Sequence, residues 1–119
     1  MPNQILIVED HLDTQQGMKQ LLQLYGYHVL TADNGRQGLM KASAHLPDLI
    51  ITDVMMPVMD GIEMVKQLRS STAFRSTPII VVSAYITKAA EAVRVGANDV
   101  LPKPLDTDLL IHRIEGLID

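Results

Sequence analysis

The chain predicts an α/β fold, a doubly wound sheet of five parallel strands alternating with five helices. Three observations carry this expectation. Ile5 to Val8, Leu49 to Thr52 and Ile79 to Val82 are short, continuous apolar runs rich in β-branched residues, as in strands buried on both faces. The segments between them repeat their apolar residues at helical spacing. The links are short, which suits right-handed crossovers between neighbouring parallel strands.

In chain order, Gln4 to Val8 form the first strand, which ends at the paired acids Glu9 and Asp10. Asp13 with Gln16 reads as a capping box for the first helix, whose inward stripe is Met18, Leu21, Leu22 and Tyr25, with Gly26 as its stop. Tyr27 to Ala32 make the second strand. Asn34 with Gln37 caps a second helix that ends before Pro47. The third strand, Leu49 to Thr52, delivers Asp53 into a turn, and Met56-Pro57 stops it. Asp60, Gly61 and Glu63 open the third helix, with Ile62, Val65 and Leu68 on one stripe, and Arg69 to Thr77 read as loop. Pro78 starts the fourth strand, Ile79 to Val82, which ends in Ser83-Ala84. Thr87 is a candidate cap for a fourth helix ended by Gly96. Asp99 to Leu101 make the last strand, Lys103 stands between Pro102 and Pro104, and Asp106 caps a final helix with Leu109, Leu110, Ile114 and Leu117 inward.

Composition narrows the function classes. The 119 residues, 47% hydrophobic and 20% charged, suit one domain spanning 1–119. A net charge of −4 disfavours direct nucleic-acid binding, and the absence of cysteine excludes thiol and disulfide chemistry. No apolar run approaches the roughly 20 residues needed to span a bilayer, so the expectation is a soluble, cytoplasmic chain with no membrane partner.

In a doubly wound sheet the carboxyl ends of the strands gather at the edge where strand order reverses. Glu9, Asp10, Asp53, Ser83 and Lys103 all stand at such ends. Three carboxylates in one pocket repel strongly unless cations join them, since a unit pair at 4 Å is worth about 4 kcal/mol at an effective dielectric of 20. A divalent ion and Lys103 bring the sum to zero. Oxygen-only ligands point to Mg²⁺. A hydroxyl, an ammonium and Mg²⁺ around one carboxylate are the parts that hold a phosphoryl group moving in line onto a nucleophile, here Asp53.

With these residues in view, the whole chain resembles the receiver domains of two-component response regulators. The motifs are the acid pair Glu9-Asp10, the D-x-x-M-P run from Asp53 to Pro57, Met59-Asp60-Gly61, Ser83-Ala84, Gly96-Ala97 and Lys103-Pro104. The resemblance implies a flavodoxin-like strand order 2-1-3-4-5. It implies that Asp53 takes a phosphoryl group from a histidine kinase, a histidine phosphotransfer protein or a small phosphodonor. Mg²⁺ would be held by Asp10, Asp53 and the Met55 carbonyl, with Glu9 acting through metal-bound water. Ser83 would swing to the phosphoryl group, Lys103 would pair with it, and the Lys103-Pro104 bond would be cis. The output face would be the fourth helix, fifth strand and fifth helix, on a monomer or a phosphorylation-dependent homodimer. The domain would stand alone or belong to a longer multidomain regulator. The kinase would dock on the first helix and nearby loops, around Gln15, Gln16, Met18 and Lys19. Val100 departs from the pattern, occupying a place where many receivers carry an aromatic.

Taken singly, these residues have plainer readings. An Asp or Ser at a strand end is usually a turn or cap residue. His11 reads as a loop histidine rather than a ligand, and His28, His45 and His112 as surface or edge residues. The methionines Met55, Met56 and Met59 read as packing that also rims Asp53. The competing functional classes are a Mg²⁺-dependent phosphohydrolase with Asp53 as nucleophile, and a flavodoxin-like cofactor binder. The first lacks an acid or base at Val54 or Met55. The second lacks a glycine-rich phosphate loop after the first strand.

Overall fold

Alternation along the first strand sorts its side chains onto two faces: Leu6 and Val8 enter one core, Ile5 and Ile7 the other. The computed structural model describes residues 3–118. Its strands are β1 (Gln4–Val8), β2 (His28–Ala32), β3 (Leu49–Asp53), β4 (Ile79–Ser83) and β5 (Asp99–Pro102). The helices are α1 (Leu12–Leu24), α2 (Gly35–His45), α3 (Gly61–Arg69), α4 (Ile86–Val95) and α5 (Thr107–Ile118). All strand pairs are parallel, and their order is β2-β1-β3-β4-β5, as the resemblance implied.

The two faces are covered by different helices. Ala42 of α2, Met64, Val65 and Leu68 of α3 and Ala92 of α4 pack with Leu6, Val8, Ile50, Ile79 and Val81. Met18 and Leu22 of α1 and Leu110, Ile111 and Ile114 of α5 pack with Ile5, Ile7, Ile51, Ile80 and Val82. Each fully buried Val, Leu, Ile or Met side chain among them stabilises the fold by about 1.5–3 kcal/mol. Strand order reverses between β1 and β3, so the loops after these strands diverge to opposite faces and leave a crevice at their carboxyl ends.

The helix starts are partly as the sequence predicted. Asn34, Asp60 and Asp106 each accept a backbone N–H in the first turn, from Gln37, Glu63 and Leu109 respectively. Asp13 and Thr87 do not cap. α1 begins at Leu12 with His11 as its N-cap, and α4 begins at Ile86 with Tyr85 as its N-cap, so Asp13 and Thr87 lie inside the first turns. In both cases a strand end feeds almost directly into the helix, and the crossover rather than a side-chain cap determines where it starts.

Other expectations are corrected by packing. Tyr25 is 51% exposed: α1 ends at Leu24, and Tyr25 is its C-cap rather than part of the helical stripe. Buried Gln15 joins the α1 stripe instead, two turns before Leu22. On α5, Leu110, Ile111 and Ile114 are buried, while Leu109 and Leu117 are only partly so. The stretch from Arg69 to Thr77 is not simple loop: Thr72–Phe74 form a 3₁₀ turn that buries Phe74. Arg69 holds it, donating to the carbonyls of Gly96, Phe74 and Thr77 and to the Asn98 side chain. Burial lowers the pKa of that guanidinium.

Candidate acid pocket at the carboxyl edge of the sheet

Register alone converges the site. Val8 pairs with Thr52 and Asp53 with Val82, while Ser83 pairs with Pro102, so the next residues Glu9, Asp53, Ser83 and Lys103 crowd one edge. Gly61 makes room for it: a Cβ there would sit 2.0 Å from the Asp53 carbonyl oxygen, and its N–H donates to the Val54 carbonyl at 2.9 Å. The start of α3 is thereby drawn against the turn that carries Asp53.

Carboxylate oxygens of Glu9, Asp10 and Asp53 lie within 4.8 Å of one another. Asp53 Oδ2 accepts from Lys103 Nζ at 2.8 Å, and Oδ1 accepts from the Val54 N–H at 2.8 Å. Glu9 is 4% exposed, and its Oε2 accepts from the His11 N–H at 3.0 Å. Burial pushes the Glu9 pKa up, Asp53's charge adds to the rise, and the His11 bond and Lys103 oppose it. Burial works against the Lys103 ammonium, yet the hydrogen bond and charge of Asp53, with Glu9 and Asp10 beyond, raise its pKa. The Lys103-Pro104 bond is cis.

Glu9, Asp10, His11, Thr14, Asp53, Met55 and Lys103 line an open pocket of about 200 Å³. Its donors are hard carboxylate oxygens carrying excess negative charge, a set that fits a hard divalent cation such as Mg²⁺. Of the residues singled out in the sequence, Ser83 stands apart: it is buried, and its hydroxyl accepts from the Tyr85 N–H at 3.1 Å and donates to the Tyr85 carbonyl. Met55 is on the rim, 57% exposed, whereas Met56 and Met59 pack against the α2–α3–α4 core. Tyr85 is exposed and does not line the pocket. His11, His28, His45 and His112 are all exposed.

A neighbouring cavity of about 230 Å³ runs inward from Asp53 and Lys103, walled by Ile7, Met18, Ile51, Val82 and Leu105. Gln15, expected on a docking surface, is 2% exposed and Met18 is 9% exposed. Both face inward, so they leave Gln16 and Lys19 as the outward residues of that set. The Gln15 amide donates to the carbonyls of Glu9 and Ala32 and to Asp33. Its spacing from Met18 and Leu22 is the signal by which it could have been found.

A doubly wound sheet with a triad of acids and a lysine at its switch point is a phosphoryl-handling α/β domain in its architecture. Residues 5–115 match the family described as the response regulator receiver domain, and the chain belongs to that family. It is 40% identical over 119 residues to hybrid signal transduction histidine kinase D of Dictyostelium discoideum, covering 96% of this chain and 7% of that protein. It is 35% identical to response regulator MprA of Mycolicibacterium vanbaalenii, covering 99% of this chain and 51% of the relative. The chain thus spans about half, or far less, of the length of these relatives. Among solved structures it superposes on chemotaxis response regulator CheY4 of Vibrio cholerae with a TM-score of 0.92 and 35% identity, covering 98% of this chain and 99% of that one. The chain is a receiver domain of two-component signal transduction. Among the described residues, no helix is long and apolar enough to cross a membrane.

Proposed function

We propose that Asp53 is the phosphoryl acceptor, receiving the group from the phosphohistidine of a histidine kinase or histidine phosphotransfer protein. The observation that carries this reading is the position of Asp53: among the described residues it alone is held by Lys103, at 2.8 Å, and it shares a pocket with two further acids. In the reaction, an Asp53 carboxylate oxygen forms a bond to phosphorus as the P–N bond of the donor breaks. The imidazole nitrogen leaves with the bonding pair and takes up a proton. Lys103 pairs with the arriving phosphoryl oxygens, and the Val54 N–H steadies the carboxylate that attacks. Ser83 supplies a hydroxyl to the phosphoryl group once it releases the Tyr85 backbone. Asp10, Asp53 and the Met55 carbonyl are the residues to hold Mg²⁺, with Glu9 acting through water. When bound, Mg²⁺ would supply positive charge for the phosphoryl oxygens as they pass to Asp53.

The domain catalyses its own phosphorylation and dephosphorylation as a cytoplasmic switch rather than turning over a substrate. Val54 is buried and Met55 carries a thioether, so neither offers the acid or base that a phosphohydrolase needs beside its nucleophile. The proposed output face is α4, β5 and α5, where Ile86 is 89% exposed and Arg113 pairs with Asp99 at 2.9 Å. Val100 is half-buried against the core there, in place of an aromatic that could rotate outward. This face would serve a monomer or a homodimer formed on phosphorylation.

The test is intact mass spectrometry after incubation with acetyl phosphate and Mg²⁺. One phosphoryl addition is expected, and none in Asp53→Asn. Equal uptake by that variant would overturn the assignment.

A further inference from the structure

We infer that Gln15 is a positioning residue for the metal pocket, which it serves through the backbone of Glu9 and Asp10; this rests on the Mg²⁺ reading above. Gln15 is nearly sealed from solvent, at 2% exposure, on the inward face of α1. A polar amide there costs stability unless it is fully bonded. It is bonded at both ends. Its nitrogen donates to the Glu9 carbonyl at 2.8 Å, the Ala32 carbonyl at 3.2 Å and Asp33 Oδ1 at 2.9 Å, and its oxygen accepts from the Gln16 amide. Two of these acceptors are backbone carbonyls, which cannot donate, so the amide nitrogen must face them.

What these bonds hold is the first peptide past the end of β1. Val8 with Ala32 is the last register pair of β1 and β2, and Glu9 lies beyond it. The Glu9 N–H still reaches the Ala32 carbonyl at 3.0 Å, but the Glu9 carbonyl finds its donor in the Gln15 side chain. That carbonyl and the Asp10 N–H belong to one planar unit, so fixing the carbonyl fixes the plane. The plane determines how Glu9 leaves the strand and how Asp10 enters the turn, and hence where both carboxylates aim. Glu9 is gripped a third time through its side chain, by the His11 N–H. The same amide also donates to the carboxylate of Asp33, just past the end of β2.

Partners of this outer kind typically change metal affinity 10–100-fold when removed, through orientation rather than contact. The experiment titrates Mg²⁺ alone into the chain by calorimetry, in the wild type, Gln15→Met and Leu22→Ala. Gln15→Met keeps the length of the side chain and removes its donors, and should bind Mg²⁺ about tenfold more weakly. Leu22→Ala opens a cavity two turns along the same helix, lowering the melting temperature while leaving the Mg²⁺ dissociation constant within about twofold. A structural role alone would lower the melting temperature of Gln15→Met with an unchanged dissociation constant, and that result overturns the inference. Should Gln15→Met fail to fold, Gln15→Asn, one methylene too short to span the gap, is read by the same criterion. A wild-type chain that binds no Mg²⁺ would refute the underlying reading and the inference with it; a wild type that binds normally beside an unaffected variant refutes the inference alone.

Discussion

Replacing Lys103 with Met should move two properties of the pocket in opposite directions. The side chain keeps most of its length and loses its charge. Lys103 Nζ sits 2.8 Å from Asp53 Oδ2, so any cation held by the same carboxylate feels it as a like charge at close range. A unit pair at 4 Å is worth about 1 kcal/mol in water and about 4 kcal/mol at an effective dielectric of 20. The Lys103 side chain is 36% exposed and that of Asp53 10%, which puts the interaction towards the water limit. Against a divalent ion the water-limit repulsion doubles to about 2 kcal/mol, and relaxation of the lysine tip lowers it towards about 1 kcal/mol. Lys103→Met should therefore bind Mg²⁺ about five- to thirtyfold more tightly. Phosphorylation by acetyl phosphate should fall at the same time, because the ammonium that pairs with the arriving phosphoryl oxygens is gone. Calorimetry with Mg²⁺ and intact mass spectrometry over a time course measure the two effects separately. Mg²⁺ binding that is unchanged or weaker in the variant would refute the electrostatic argument, and undiminished phosphorylation would remove the role given to Lys103.

Gly61→Ala should destabilise the fold by about 2 kcal/mol or more, since its Cβ would stand 2.0 Å from the Asp53 carbonyl oxygen and backbone must move; urea denaturation with a loss under about 0.5 kcal/mol would contradict this. In chelator-treated protein, Glu9 holds its proton more tightly folded than unfolded, so its contribution to stability is fully present below its ordinary value of 4.5 and is lost as pH rises through the raised folded value. Melting temperatures of the wild type relative to Glu9→Gln should fall over that rise, and a flat difference would show that Glu9 is not the group responsible. Met55→Asn should speed loss of the phosphoryl group by about tenfold, because an amide on the exposed rim can orient water where a thioether cannot. Loss of the phosphoryl signal over time reads this directly, and equal decay rates would count against it.

Much of this molecule is local in origin and was legible on that account. The runs Ile5 to Val8, Leu49 to Thr52 and Ile79 to Val82 are too short for helices and apolar on both faces, so they could be satisfied only inside a covered parallel sheet. Asn34, Asp60 and Asp106 cap because a short side chain reaches a backbone N–H three residues away whatever lies elsewhere. The candidate site was legible for a related reason: each of its acids and its lysine follows directly on a strand end, and a parallel sheet collects those ends along one edge.

Only the assembled tertiary structure decided what depends on distant partners. Asp13 and Thr87 have the chemistry of caps, yet the strand ends before them enter their helices two residues earlier, at His11 and Tyr85. Phe74 lies in a polar stretch that reads as loop until Arg69 draws it inward by bonds to carbonyls up to 27 residues away. Gln15 reads as a surface residue of α1 because its partners, Glu9, Ala32 and Asp33, come from two strand ends that the helix must first cross. The direct pairing of Lys103 with Asp53 spans 50 residues of chain and exists only because β3 and β5 flank β4 in the same register. Local propensity fixes what a segment can become, while burial and hydrogen-bond satisfaction, which are properties of the whole chain, fix which of its side chains meet.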